Sequence, residues 1–177
     1  MVDGTDYLGR NQTSMDGRAM PQVTEVEMSV LAHATEDEDK VERALRNLIP
    51  PGVNVRIRHH KVRGYYKDPI TRMQAQIRKI KPATTMLERT IETLSSLDQY
   101  RLLEEIEDRV DEAGNLYLRL DKQKALRGVG AIQEHDSIRL KFRFRIPHNE
   151  SPVNAIQTAI ESIINGQGAS PESEDRQ

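Results

Sequence analysis

The sequence predicts an α+β fold, an antiparallel β-sheet with helices packed on one face, in the order β-α-β-β-α-α-β-β-α. Three observations predict it. Several segments alternate apolar and polar residues with a period of two, the signature of strands with one covered and one open face. Other segments repeat apolar residues at helical spacing behind recognisable start signals. The connections between neighbouring strands are tight, which favours antiparallel pairing.

The clearest strand is Ile138 to Ile146, IRLKFRFRI. Ile138, Leu140, Phe142, Phe144 and Ile146 alternate with Arg139, Lys141, Arg143 and Arg145. Burying the five apolar side chains contributes on the order of 10 kcal/mol as an upper estimate. The other face carries cations about 6.6 Å apart, a spacing able to follow a phosphate backbone.

Taken in order, residues 1–22 show no periodicity and are expected to be a disordered leader. Val26, Met28, Val30 and Ala32 alternate with Glu25, Glu27, Ser29 and Leu31 in a first strand. Thr35 and Glu38 form a T-x-x-E capping box. The helix behind it has the stripe Val41, Ala44, Leu45, Leu48 and Ile49, and Pro50-Pro51-Gly52 ends it. Val53, Val55 and Ile57 alternate with Asn54, Arg56 and Arg58 as a second strand. Gly64 and Asp68-Pro69 then mark a hairpin tip that displays Tyr65, Tyr66 and Lys67. A third strand from Ile70 to about Lys79 turns Met73, Ala75 and Ile77 inward and Arg72, Gln74, Gln76 and Arg78 outward.

Pro82 opens a helix with the apolar side Ala83, Met86, Leu87, Ile91 and Leu94. Ser96 with Gln99 caps another, striped by Leu102, Leu103, Ile106 and Val110 and closed by Gly114. Leu116, Leu118 and Leu120 alternate with Tyr117, Arg119 and Asp121 in a fourth strand. A basic connection, Lys122 to Gly130, leads to the strand at 138–146. A last helix begins at Ser151-Pro152, buries Val153, Ile156, Ala159, Ile160, Ile163 and Ile164, and ends at Gly166. Residues 23–166 thus form one domain, and 167–177 read as a disordered polar tail.

The chain has 177 residues, no cysteine, 31% charged residues and only 4% aromatics. Disulfides and thiolate zinc sites are excluded. No run is long and apolar enough to span a membrane, so the expectation is a soluble, cytoplasmic protein. The net charge of −2 hides an uneven distribution. Arg43 to Leu87 holds eleven Lys or Arg and one acid, Asp68, whereas Asp98 to Glu112 holds seven acids against Arg101 and Arg109.

If the apolar faces of all strands meet the helices, the open face gathers Arg56, Arg58, Arg72, Arg78, Arg119, Arg139, Lys141, Arg143 and Arg145, with Tyr117 among them. The acids there are Glu25, Glu27 and Asp121. Cross-strand Arg–Glu pairs on a solvated surface would explain some of this, at about 0.2–1 kcal/mol each. The excess of one sign on several strands points instead to a polyanion. Lys61, Arg63, Tyr65, Tyr66 and Lys67 extend the surface along the hairpin, where the tyrosines either stack on unpaired bases or pack back on the sheet edge. Lys122, Lys124 and Arg127 beside Gly128 and Gly130 either cradle phosphate or form a plain basic loop, and no phosphate-loop motif is present.

Catalysis finds little support. The five histidines lack metal-ligand spacing. The acids of Glu104–Glu112 read as the solvent face of a helix in the layer away from the basic surface. Neither a cofactor nor a metal is expected.

The segments HATEDEDKVERALRNLIP, GYYKDPI, NLYLRLDKQKALRG and DSIRLKFRFRI resemble an archaeal RNA-binding family predicted to supply exosome subunits. The resemblance covers about Val23 to Ile146. It implies a fold similar to the large-subunit ribosomal protein that binds 5S RNA, and RNA as the partner. It leaves open a link to RNA-processing or exosome subunits. It carries onto Gly64, Asp68 and Pro69, and onto Arg119, Asp121, Lys122, Gln123 and Gly128. Tyr65-Tyr66-Lys67 stands where relatives have a smaller turn around a Gly-Asn pair. The function this predicts is non-catalytic RNA binding. The alternatives are an adaptor that docks its basic face on an acidic protein and, less favoured, a metal-dependent nuclease.

Overall fold

A computed structural model describes residues 21–166. Five strands form one antiparallel sheet in the spatial order β2-β3-β1-β5-β4. They are β1 (Gln22–Ala32), β2 (Arg58–Arg63), β3 (Pro69–Ile77), β4 (Asn115–Asp121) and β5 (Ser137–Arg145). The helices are α1 (Glu38–Leu48), α2 (Ile80–Thr93), α3 (Ser96–Glu104), α4 (Ile106–Arg109), α5 (Lys122–Leu126) and α6 (Pro152–Gly166). The predicted class and order hold, with the short α4 and α5 added. The predicted leader and tail, apart from Pro21 and Gln22, lie outside the described residues.

The central strand is β1, paired with both β3 and β5. Its buried residues include both Val23 and Val26, a spacing of three that strict alternation forbids. A register shift between Val23 and Glu25 resolves this. Thr24 is the extra residue of a β-bulge, and the bulge resets which face each side chain takes. One core joins Met28, Val30, Met73, Leu118, Leu140 and Phe142 of the sheet to Leu45 of α1, Met86 and Ile91 of α2, Leu102 of α3 and Ile156 and Ile160 of α6. Helices α1 and α2 pack on β1, and α6 lies against α2, α3 and α4. Among the described residues, no helix is long and apolar enough to cross a membrane.

The structure corrects several local expectations. The Thr35–Glu38 capping box does not form. Asp37 caps α1, accepting from the N–H groups of Asp39 and Lys40 at 3.0 and 3.3 Å. Residues 53–57 keep their alternation, with Val53 and Val55 half-buried and Ile57 buried, but have no ladder partner, so β2 begins only at Arg58. Pro82 is the third residue of α2, still in the first turn, where a missing N–H costs no intrahelical bond. Ser95, not Ser96, caps α3 by accepting from Asp98 N–H at 3.1 Å.

The single helix expected up to Gly114 breaks at Glu105 into α3 and α4. Val110 then bridges to Leu116, so the chain is already extended there. Gly114, at φ +78°, sits in the turn that follows, not in a helix cap. A Cβ there would lie 2.9 Å from Ile146 Cγ1 and 3.3 Å from Phe144 O. Close approach and a left-handed backbone both call for glycine.

Candidate nucleic-acid interface

Strand registers line up the open face row by row. One row crosses the whole sheet: Arg58 faces Gln74, Gln74 faces Ser29, Ser29 faces Arg139, and Arg139 faces Arg119. Four inter-strand gaps of about 4.8 Å make it about 19 Å long. Arg72, opposite His60, sits beside its β2–β3 end. The next row runs Gln76, Glu27, Lys141 and Tyr117, and the one beyond it contains Glu25, Arg143 and Asn115.

Neutralisation is unequal along this face. Glu25 pairs with Arg143 at 3.1 Å and with Arg78 at 3.6 Å, and it also accepts from Gln76. Lys141 lies 6.0 Å over the Tyr117 ring, within cation–π range. Burial and the hydrogen bond that Tyr117 donates to Asp111 at 2.9 Å raise the Tyr117 pKa, so the phenol stays protonated. Asp121 is committed to capping α5, accepting from Lys124 N–H at 2.7 Å. Arg119 donates to the backbone carbonyl of Glu134 at 3.1 Å and keeps its charge. Arg58, Arg72 and Arg139 have no carboxylate partner among the described residues. On this face Arg143 and Arg78 share Glu25, whereas the long row, Arg72, Lys141 and Arg145 have no carboxylate within ion-pair distance among the described residues.

These residues floor an open basin of about 1330 Å³. Its lining includes Arg56, Arg58, Arg72, Arg78, Arg119, Arg139 and Lys141, with Glu27 as the acid on the floor. The segment α3–α4 forms one rim. Arg109 is buried and donates to Glu105 at 2.5 Å and to Glu134 at 2.8 Å, while Arg101 donates to Glu105 at 2.8 Å. Hydrogen bonds from Arg101 and Arg109 hold the Glu105 carboxyl below its ordinary value. The acidic helix was expected in the far layer. Instead Glu105, Asp108 and Glu134 line this basin, because residues 131–133 run along the β4 edge and bring Glu134 to Arg109. The spacing Arg101–Glu105–Arg109, at i, i+4 and i+8, was the available signal for this rim.

The sixteen candidate positions separate into four groups. Arg56, Arg58, Arg72, Arg119, Arg139 and Lys141 meet in the basin. Arg143 and Arg145 lie towards the far end of β5, with Arg145 opposite Gln22. Arg63, Tyr65, Tyr66 and Lys67 are exposed at the end of the β2–β3 hairpin. The tyrosines do not pack back on the sheet, being 95% and 82% exposed.

The fourth group faces the helices. Lys61 reaches Glu38 at 2.6 Å and Thr71 at 2.8 Å on the covered side of the sheet. Its hydrogen bond, followed by that of Thr71, lowers the Glu38 pKa. Lys122 is 8% exposed and donates to Glu36 at 2.8 Å and Leu31 O at 2.9 Å, with Asp136 at 2.6 Å. It is a structural cation, which corrects its expected place at the surface. Lys124 and Arg127 are exposed, but α5 packs on α1, where Asn47 donates to Ala125 O and Leu126 O. The expected basic loop is thus a capped helical turn. Gly130 fits closely there, since a Cβ would meet Thr93 Oγ1 at 2.6 Å.

One group of metal-type ligands converges among the described residues, His33, Glu36 and Asp136, which sequence spacing had not indicated. The Lys122 ammonium contacts both carboxylates, and His33 Nε2 lies 3.2 Å from Asp136 Oδ1. Burial raises the Asp136 pKa, but Lys122 and His33 outweigh it, leaving the carboxyl below its ordinary value. This trio already holds a cation of its own.

A family model described as RNA binding matches residues 25–144, from the first half of β1 to the penultimate residue of β5. The chain belongs to this RNA-binding family. RNA-binding protein PAB1135 of Pyrococcus abyssi is 32% identical over 146 residues, covering 79% of this chain and 95% of the relative. The uncharacterized protein MJ0213 of Methanocaldococcus jannaschii is 30% identical over 149 residues, covering 81% and 97%. Among solved structures, Mth689 of Methanothermobacter thermautotrophicus, a DUF54 protein, superposes with a TM-score of 0.65 at 33% identity, covering 80% of this chain and 98% of that one.

Proposed function

We propose that this member of the RNA-binding family is a non-catalytic protein that lays RNA phosphates along the open face of its sheet. The observation that carries this is the row of arginines from Arg58 to Arg119, together with Arg72, left without carboxylate partners on a face that the fold keeps uncovered. A row of like charges destabilises a sheet by mutual repulsion. A polyanion removes that repulsion on binding and releases its own counterions. Such contacts set affinity and orientation and carry no direct sequence information. Family membership and the name of the Pyrococcus relative support the choice of RNA over another polyanion.

A finer placement, beside RNA-processing or exosome subunits, rests on the sequence resemblance. The carboxylates at the rim, Glu105 and Glu134, are held by Arg101 and Arg109, which favours structural use over metal-assisted hydrolysis.

Fluorescence anisotropy with a labelled RNA at low salt tests the proposal. Micromolar or tighter binding that weakens with salt is expected, with no loss of full-length RNA in magnesium. Absence of binding at low salt would refute it. A protein partner retained after nuclease treatment would then establish the adaptor, and magnesium-dependent decay of the RNA would establish a nuclease.

A further inference from the structure

The β2–β3 hairpin carries two large aromatic side chains that contribute almost nothing to the core. Tyr65 and Tyr66 are 95% and 82% exposed, and among the described residues their only ring contact is with each other, centroids 5.1 Å apart and planes at 86°. The turn beneath them is well defined. Gly64 N–H donates to Asp68 O at 2.8 Å, Lys67 N–H donates to Gly64 O at 3.0 Å, and Lys67 takes φ +64°. Edge-to-face rings leave no room for a base between them, but each offers an open outer face.

The chemistry along the arm is ordered. Arg58 and Arg72 lie at its base in the basin, Val62 faces Ile70 further out, and the tyrosines stand at the tip. Val62 is 43% exposed on the same side as Arg58. Charge, then apolar surface, then open aromatic faces suits a strand whose phosphates lie inward and whose bases turn outward. A duplex satisfies only the charged part, because its base faces are already stacked on one another.

We propose that the hairpin tip stacks an unpaired nucleobase on Tyr65 or Tyr66, so that the ligand class is RNA with unpaired nucleotides and not a fully paired helix. The proposal rests on the RNA-binding reading above and adds to it where selectivity arises.

The test compares wild type, Tyr65→Ala/Tyr66→Ala and Tyr65→Phe/Tyr66→Phe on three labelled probes. These are a single strand of about 12 nucleotides, the same strand with abasic sites, and a blunt duplex of that length. Wild type should favour the single strand. The alanine pair should lose about tenfold or more on that strand, since stacking contributes about 1–3 kcal/mol per base. It should lose less than twofold on the abasic strand and the duplex. The phenylalanine pair should bind like wild type. Equal losses of the alanine pair on all three probes, or no loss on any, would overturn the proposal while leaving RNA binding intact. A wild type that binds none of the probes would overturn both readings.

Discussion

Replacing Arg139 with glutamine removes one cation from the long row without leaving a carboxylate unpaired, since none contacts it among the described residues. If Arg58, Arg72, Arg119 and Arg139 each neutralise one phosphate of a single strand, the slope of log affinity against log salt is about −2.8. Raising salt from about 50 to about 200 mM then weakens binding about 50-fold. With Arg139→Gln the slope falls to about −2.1, and the same salt step costs about 18-fold. Arg143→Gln is the matched control, because Arg143 lies on the same strand and face but already has Glu25 at 3.1 Å. Its slope should stay near that of wild type. Anisotropy titrations at several salt concentrations, with circular dichroism to verify folding, give the three slopes. Equal changes for Arg139→Gln and Arg143→Gln would show that ion pairing does not decide which cations meet RNA. An unchanged slope for Arg139→Gln would move the site off the row.

Other expected outcomes follow from particular contacts. Glu25→Gln releases Arg143 and Arg78 from their shared carboxylate, so RNA affinity should rise and the salt slope should steepen; weaker binding in anisotropy would contradict this. Lys122→Met leaves Glu36 and Asp136 without their cation and Leu31 O without its donor. Urea denaturation should show a loss of about 2 kcal/mol, less than for a fully buried pair because Asp136 is exposed, while RNA affinity stays within twofold. Glu105 and Asp136 both have lowered folded-state pKa values, against ordinary values of 4.5 and 3.8. Their stabilisation is therefore complete above those values and is lost as pH falls through the lower folded ones. The urea midpoint should be insensitive to these groups near neutrality and drop in acid, and Glu105→Gln should blunt the drop; a wild-type decline that Glu105→Gln leaves unaltered would exclude Glu105 as a cause.

Local pattern was enough to read the fold class and most of the strand faces. Period-two alternation specifies which side chains share a face, so Arg72, Arg119, Arg139, Lys141 and Arg143 were legible as outward-facing from sequence alone. The same logic missed the bulge at Thr24, because one inserted residue resets the phase without marking composition. It also lengthened β2 into residues 53–57, where alternation persists but no neighbour is in place to pair. Capping was misplaced at Thr35 and Ser96 because competing acceptors lay nearby. Asp37 was in position to cap α1, and Glu38 turned instead to Lys61 and Thr71.

The division of the cations into free and committed was decided by tertiary structure. Arg139 and Arg143 are indistinguishable in a strand that alternates so regularly, yet register sets one opposite Ser29 and the other opposite Glu25. Lys122 and Lys124 are two residues apart on one short helix, yet the first is buried among Glu36, Leu31 and Asp136, up to 91 residues away in sequence. Glu134 comes to Arg109 only because the chain after α5 runs along the β4 edge. Sequence thus determined which residue types face out, since that depends on the periodicity of a single segment. Which of those charges lack a partner depends on distances between segments, and those exist only once the sheet is assembled.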